Sequence, residues 1–277
     1  MTQELPLVKR LESFDRFYSR VHLSMVDALE AGPDCKALDV GCGAGGVAML
    51  LAQAITGAGV LVALDPALEH LSKTRELVES GGSNASRKVI YCTGDIERLQ
   101  FLGGEFDLIW CSRVVHHYLP HPSPAMNELY RVLRPGGRLA LRETGRRHLK
   151  FSLPELGIDG EFLVRLQEGR DRWFQSKYRS RIPGDAHWKR LLLEAGFRKT
   201  EVIKFSFEPP SPEDQRAYLH DVWLRNFLVI DGSPEHGHLF ERADREKLEH
   251  IVEGENGEMF EHELGIEEES VVYIGYK

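Results

Sequence analysis

Side chains able to do chemistry crowd into the stretch from Asp39 to Asp95. The run Ala37-Leu38-Asp39-Val40-Gly41-Cys42-Gly43-Ala44-Gly45-Gly46 sets Gly41, Gly43, Gly45 and Gly46 between two apolar segments. Glycine lets a backbone turn sharply and approach a ligand with no Cβ in the way. Carboxylates follow at intervals. Asp39, just before Gly41, can hold the loop or reach a cationic amine through water. Asp65 closes the next apolar run about twenty residues on, where a carboxylate accepts both hydroxyls of a ribose. Asp95, after Gly94, can accept from an adenine amino group. Gly41, Gly43 and Gly46 alone also satisfy the G-x-G-x-x-G spacing of nicotinamide and flavin enzymes. The acids at successive strand ends decide against that reading.

His116 and His117 follow a further apolar strand and stand where an acceptor would lie. Either could take a proton from it, with His117 the first choice; such a base contributes ~10²–10⁴-fold where a proton must leave. His121, in Leu119-Pro120-His121-Pro122, reads as a loop residue, and His236 with His238 lacks a third metal ligand in register. No metal site is expected. Cys35, Cys42, Cys92 and Cys111 form no C-x-x-C pair and read as reduced, packed thiols.

These residues need elements to position them. Apolar runs at Ala37 to Val40, Val60 to Leu64, Val89 to Cys92, Phe106 to Cys111 and Arg138 to Glu143 read as strands. Helical patterns over Val47 to Ala54, Leu68 to Glu79 and Pro124 to Leu133 alternate with them, the last closed by Pro135-Gly136-Gly137. This rhythm predicts a doubly wound α/β protein whose mainly parallel, Rossmann-like sheet binds ligands at the carboxyl ends of its strands. Upstream, Ser13 to Ala31 reads as one amphipathic helix with Ser13 as N-cap and Gly32-Pro33 as stop; its Phe17-Tyr18 pair either packs on a core or closes over a ligand. Beyond Glu143 the rhythm breaks. Helices are expected at Gly160 to Tyr178, Trp188 to Ala195, Pro212 to Val229 and Ala243 to Val252, with strands at Lys199 to Phe207 and Ser270 to Tyr276.

The chain has 277 residues, is 42% hydrophobic and carries a formal charge of −8. The charge disfavours a broad nucleic-acid surface, which needs clustered Lys and Arg. Glu4, Lys9, Arg10 and Glu12 interrupt any secretory h-region, and Val47 to Ile55 is too short to cross a bilayer. A cytoplasmic protein without a membrane partner is the expectation.

Together these segments resemble the class I S-adenosylmethionine-dependent methyltransferases, in particular the small-molecule branch. ALDVGCGAGG is similar to motif I, VALDP at Ala63 to Pro66 to motif II, TGDIERLQF from Thr93 to motif III and FDLIWCSRVVHH from Phe106 to motif IV; VLRPGGRLAL from Val132 is similar to the motif that follows. The resemblance is strong from Cys35 to Leu141 and weak beyond. It implies a seven-stranded sheet with an antiparallel last strand. It also implies cofactor contacts from Asp39, Gly41, Cys42, Gly43, Gly45, Asp65, Pro66, Gly94, Asp95, Ile96 and Ser112, to which Tyr18 is added as a candidate closing residue. The motif IV segment Cys111-Ser112-Arg113-Val114 lacks the Asn or Asp, prolines and aromatic of base and glutamine methylases, so an O, N or C atom of a small molecule is the expected acceptor.

The expected organisation is an N-terminal helical segment (1–34), a cofactor-binding core (35–143), a helical lid insertion (144–184) and the end of the core sheet (185–277), interrupted by an acidic helical insertion at about 209–269. Substrate choice should reside in the insertions. There Trp173, Phe174, Tyr178, Tyr218, Trp223 and Phe227 form either an apolar lid or plain packing, and Arg170, Arg172, Lys177, Arg179 and Arg181 could meet an anionic acceptor. Two competing readings are a protein that binds S-adenosylmethionine without transferring its methyl and an NAD(P)-dependent oxidoreductase.

Overall fold

Strands form where short apolar runs are bounded by turn residues, and in this chain they assemble into one sheet. The computed structural model describes residues 6–82, 88–115, 119, 121–143, 160–178, 184–231, 239–253 and 269–277. The chain divides into two compact units: Tyr18–Arg146 with Pro183–Phe207 and Glu269–Lys277, and Met1–Phe17 with Arg147–Ile182 and Glu208–Glu268.

The first unit holds the sheet. Its strands are β1 (Lys36–Val40), β2 (Val60–Leu64), β3 (Val89–Cys92), β4 (Phe106–Ser112), β5 (Leu133–Arg142), β6 (Lys199–Ser206) and β7 (Glu269–Tyr276), in the order β3-β2-β1-β4-β5-β7-β6. β1 to β5 pair in parallel, while β7 runs antiparallel to both β5 and β6. Leu38, Val62, Ile109, Leu139 and Tyr273 are buried in its core together with Trp188. The strand order reverses beside β1, whose neighbours are β2 and β4, and that switch point is where an open α/β sheet leaves a crevice for ligands.

Around the sheet lie α2 (Ser19–Ala28), α3 (Gly46–Ala54), α4 (Leu68–Ser80), α5 (Ser123–Val132) and α7 (Asp185–Glu194). In the second unit are α1 (Leu7–Phe17), α6 (Gly160–Tyr178), α8 (Pro212–Tyr218), a π-helical turn at Leu219–Leu224, α9 (Arg225–Asp231) and α10 (Arg242–Glu253). α8 starts by the rules: Pro212 at its first turn and Ser211 accepting from the Asp214 amide. The unit closes on aromatic rings, with Phe17 stacked on Tyr218 at 3.9 Å and Trp223 edge-on to Phe227 at 4.6 Å.

Three local expectations change. The single helix over Ser13 to Ala31 is two helices that break at Tyr18, and Ser13 is no cap: it lies buried within α1 and donates to Asp221 Oδ2 at 2.9 Å. The helix expected over Pro212 to Val229 is interrupted by the π turn. β5 begins at Leu133, so the Pro135-Gly136-Gly137 turn lies inside the strand, where the register against β4 shifts between Phe106 and Leu108.

Candidate functional site

β1 ends in a glycine turn that only glycines can make. Gly41, Gly43 and Gly45 have φ of 73°, 57° and 96°. A Cβ at Gly41 would collide with Val114 Cγ2, and one at Gly45 would stand 2.7 Å from the Thr74 Cα of α4. The Gly41 and Cys42 amides donate to the Leu64 carbonyl at 2.7 and 3.1 Å, fastening the loop to the end of β2. Thr74, fully buried on α4, donates to the Gly43 carbonyl at 3.0 Å. Gly45 caps α3, whose N-terminal dipole favours negative or polar ligand atoms.

Asp65 organises the next strand end. Its Oδ2 accepts from the Gly43 amide at 3.1 Å and its Oδ1 from the Ala67 amide at 3.0 Å, while Nδ1 of His70 lies 3.0 Å from Oδ1. The carboxylate is thus tied to both the glycine turn and the start of α4. Its hydrogen bond is the main reason the His70 pKa is raised, against partial burial that lowers it. Pro66 stands between Asp65 and that start. At the end of β3, Gly94 lies so close to Leu64 that a Cβ would be 2.8 Å from Leu64 Cδ1. Asp95 turns the chain with its Oδ1 on the Glu97 amide at 2.9 Å, and Ile96 is buried behind it.

Asp39 is buried at the end of β1, opposite Ala63 of β2 and Trp110 of β4. Asp39, Asp65 and Asp95 therefore mark the ends of adjacent strands β1, β2 and β3. Each is set farther along than the last, since Asp39 stands opposite Ala63, two residues before Asp65, and Asp95 follows the Cys92 partner of Leu64 by three residues. Cys42 is buried among carboxylates, and burial first, then Asp39, pushes its thiol far above the ordinary range; it stays a neutral packing group.

Beyond β4 and β5 a second polar cluster forms. Ser112 is half-buried, and Arg113 takes a left-handed φ of 58° while its amide donates to the Arg142 carbonyl at 2.8 Å. Glu143 Oε1 accepts from the Val115 amide at 2.8 Å. The Arg142 guanidinium sits 4.5 Å from the centre of the Tyr18 ring, which is fully buried between His22 and Phe207, each 5.9 Å away. His22 is buried, and desolvation, then Arg142 and Arg113, hold its pKa well below the usual value, so it is neutral.

The structure thus brings the glycine turn, Asp39, Asp65, Asp95 and Ile96 to one edge of the sheet. His116, His117, His236 and His238 lie outside the described residues, as do Arg179 and Arg181; His121 is described, in the loop before α5. Among the lid candidates Tyr218, Trp223 and Phe227 are buried, packing their own unit, and Arg172 donates to the Leu239 carbonyl at 2.9 Å. Sequence reasoning missed Thr74, His70, His22 and Arg142. Only His70 carried a local signal, lying one turn of α4 beyond Asp65. Among the described residues no group of three His, Cys, Asp or Glu could hold a metal ion, and no helix is long and apolar enough to cross a membrane.

The family described as "Methyltransferase domain" matches residues 38–141. An uncharacterized 37.1 kDa protein in transposon TN4556 of Streptomyces fradiae is 29% identical over 232 residues, 83% of this chain and 61% of that protein. Methyltransferase GfsG of Streptomyces halstedii is 36% identical over 124 residues, 45% of this chain and 43% of its own. The chain therefore spans about half of the length of these relatives. A crystal structure from Bacillus halodurans, assigned as a methyltransferase, superposes with a TM-score of 0.54 at 23% identity over 92% of this chain and 98% of that one, a likeness of fold.

Proposed function

We propose, on the premise that the core of this chain is a class I S-adenosylmethionine-dependent methyltransferase domain, that the protein transfers the methyl group of that cofactor to an O, N or C atom of a small-molecule acceptor. The observation that carries the reading is the Asp65 carboxylate bonded to the Gly43 amide, which joins the glycine turn to the strand end where a ribose is held. Residues present suit the group. Gly41 to Gly46 provide a close backbone approach, Asp65 takes the ribose, and Asp95 with Ile96 takes the adenine at the neighbouring strand end. Asp39 lies toward the amino-acid end, with Ser112 and Tyr18 farther along the edge at the ends of β4 and β5.

When bound, the cofactor supplies a sulfonium methyl already activated for displacement. The chain's part is then mainly geometric. Holding acceptor and methyl in line contributes about 7–11 kcal/mol through effective molarity. An acceptor that must lose a proton needs a base, the role proposed for His117 or His116. The buried Arg142 and half-buried Arg113 suit an acceptor with an anionic group, since guanidinium groups bind carboxylate or phosphate in a fixed fork.

Calorimetry with S-adenosylhomocysteine tests the reading. Micromolar binding that Asp65→Ala weakens by about tenfold or more, the loss of roughly one charge-assisted hydrogen bond, is the expected result. Binding of NADH alone refutes it. Transfer of labelled methyl from the cofactor into a metabolite of a cell extract separates an enzyme from a protein that only binds the cofactor.

A further inference from the structure

The Asp65 carboxylate is already heavily used. A carboxylate offers about four lone-pair positions. The Gly43 and Ala67 amides and the His70 imidazole occupy all but one of them, at 3.1, 3.0 and 3.0 Å. A ribose diol brings two hydroxyls, one donor more than the carboxylate can serve. The amides cannot leave without undoing the glycine turn and the start of α4. The His70 side chain, 13% exposed, can swing away about its own bonds.

We propose that His70 is a displaceable stand-in for one ribose hydroxyl, so that cofactor binding at Asp65 requires the imidazole to release the carboxylate and, in acid, to give up its proton. The inference rests on the reading of Asp65 as the ribose-binding residue. His70 is then a positioning residue that holds Asp65 aimed at the site while the cofactor is absent and makes affinity depend on pH.

The sign follows from the groups around the ring. Asp65 by hydrogen bond and charge, and Glu69 by charge, favour the imidazolium, while burial opposes it. Of the elements packed against α4, α3 and β2 carry no ionisable side chain. β3 brings Tyr91 and Cys92, whose pKa values burial raises, so both stay neutral across the physiological range. Lys73, Arg75, Glu76 and Glu79 lie farther along α4, Lys73 paired with Glu76 and Arg75 over the Tyr91 ring; Asp95, Glu97 and Arg98 follow β3. Displacement removes the main stabilising contact of the imidazolium. Binding therefore releases a proton where the pH lies between the lower bound-state pKa and the free-state pKa. Affinity is highest above that pKa and falls as pH drops through it, about tenfold for each unit between the free and bound values.

The test is calorimetry of the full chain with S-adenosylhomocysteine between pH 5.5 and 8.5, in buffers of different ionisation heat. Expected are a Kd that rises roughly threefold or more toward acid, proton release confined to the window between the bound and free pKa values, and a His70→Leu variant whose affinity is flat with pH and tighter than wild type in acid. The imidazole resonance of wild-type His70 provides a measurement that needs no variant: its titration midpoint should fall on saturation with the ligand. A pH-independent wild type, a midpoint that stays or rises, or a His70→Leu variant that binds more weakly at every pH overturns the proposal. If Asp65→Asn and the 2′-deoxyribose analogue bind as the parent pair do, the ribose reading of Asp65 fails as well. If both lose affinity while the wild type is flat with pH, only the His70 inference fails.

Discussion

Gly45→Ala is expected to be costly for reasons that can be separated. At φ 96° the residue is left-handed, which costs an alanine roughly 1–2 kcal/mol. Its Cβ would also stand 2.7 Å from the Thr74 Cα and 3.1 Å from the Thr74 Cβ. Because the nearest of these atoms is backbone of α4, no rotamer change relieves the contact; α3 and α4 must move apart, an overpacking cost of about 1–3 kcal/mol. The sum is a loss of about 2–5 kcal/mol. Gly136→Ala isolates the first contribution. Gly136 has φ 79°, and a Cβ there meets nothing within 4 Å, so only the conformational cost of roughly 1–2 kcal/mol applies. Equilibrium urea unfolding of both variants gives the difference, and calorimetry shows whether Gly45→Ala also loses S-adenosylhomocysteine as the α3 N-terminus shifts. If Gly45→Ala is no less stable than Gly136→Ala, the account of the turn as a close contact between two helices is wrong.

Two buried polar side chains, His22 and Asp231, give further tests. His22 has a folded pKa well below its ordinary value, so below about pH 6.5 the unfolded chain binds a proton that the native state refuses. Its contribution to stability is complete above that pH and is lost on acidification by up to about 1.4 kcal/mol per pH unit; His22→Gln should flatten the acid limb of a Tm-versus-pH curve between pH 6.5 and 5, and an unchanged limb counts against it. Asp231, 2% exposed, accepts from the Leu239 and Phe240 amides, so Asp231→Ala should cost about 2–5 kcal/mol in urea unfolding while Asp231→Asn, which keeps a carbonyl acceptor, costs clearly less; equal losses would show that the amides are not what the side chain secures.

What the sequence made legible was local. The sheet was readable because each parallel strand is a short apolar run closed by turn residues, and the placing of Asp39, Asp65 and Asp95 because they lie where such runs close. Features that depend on distant partners were not. Phe17 and Tyr18 continue one apolar period, so nothing in the spacing announces a break; the helix splits because Phe17 stacks on Tyr218 whereas Tyr18 packs with Phe207 and under Arg142. Ser13 resembles a cap by type, yet its partner is Asp221 in the π turn. That turn takes up residues that a 3.6 period spreads over an ordinary helix, and a wider local winding leaves no mark on hydrophobic spacing.

Around Asp65 the contacts are partly local, whereas the cluster beyond β4 and β5 depends on the finished sheet. Asp65 meets Ala67 and His70 within a few residues, contacts set by the turn from β2 into α4, and meets Gly43 from the glycine turn after the adjacent β1. His22, Arg113, Arg142 and Glu143 instead converge from α2 and from the ends of β4 and β5, and Arg142 and Arg113 act on the buried His22 only once the sheet has formed. An arginine at the end of one strand is indistinguishable in sequence from a solvated surface charge; burial beside Tyr18 makes Arg142 a fixed cation. A strand-end residue of that cluster can therefore change while the Asp65 linkage to the glycine turn stays the same.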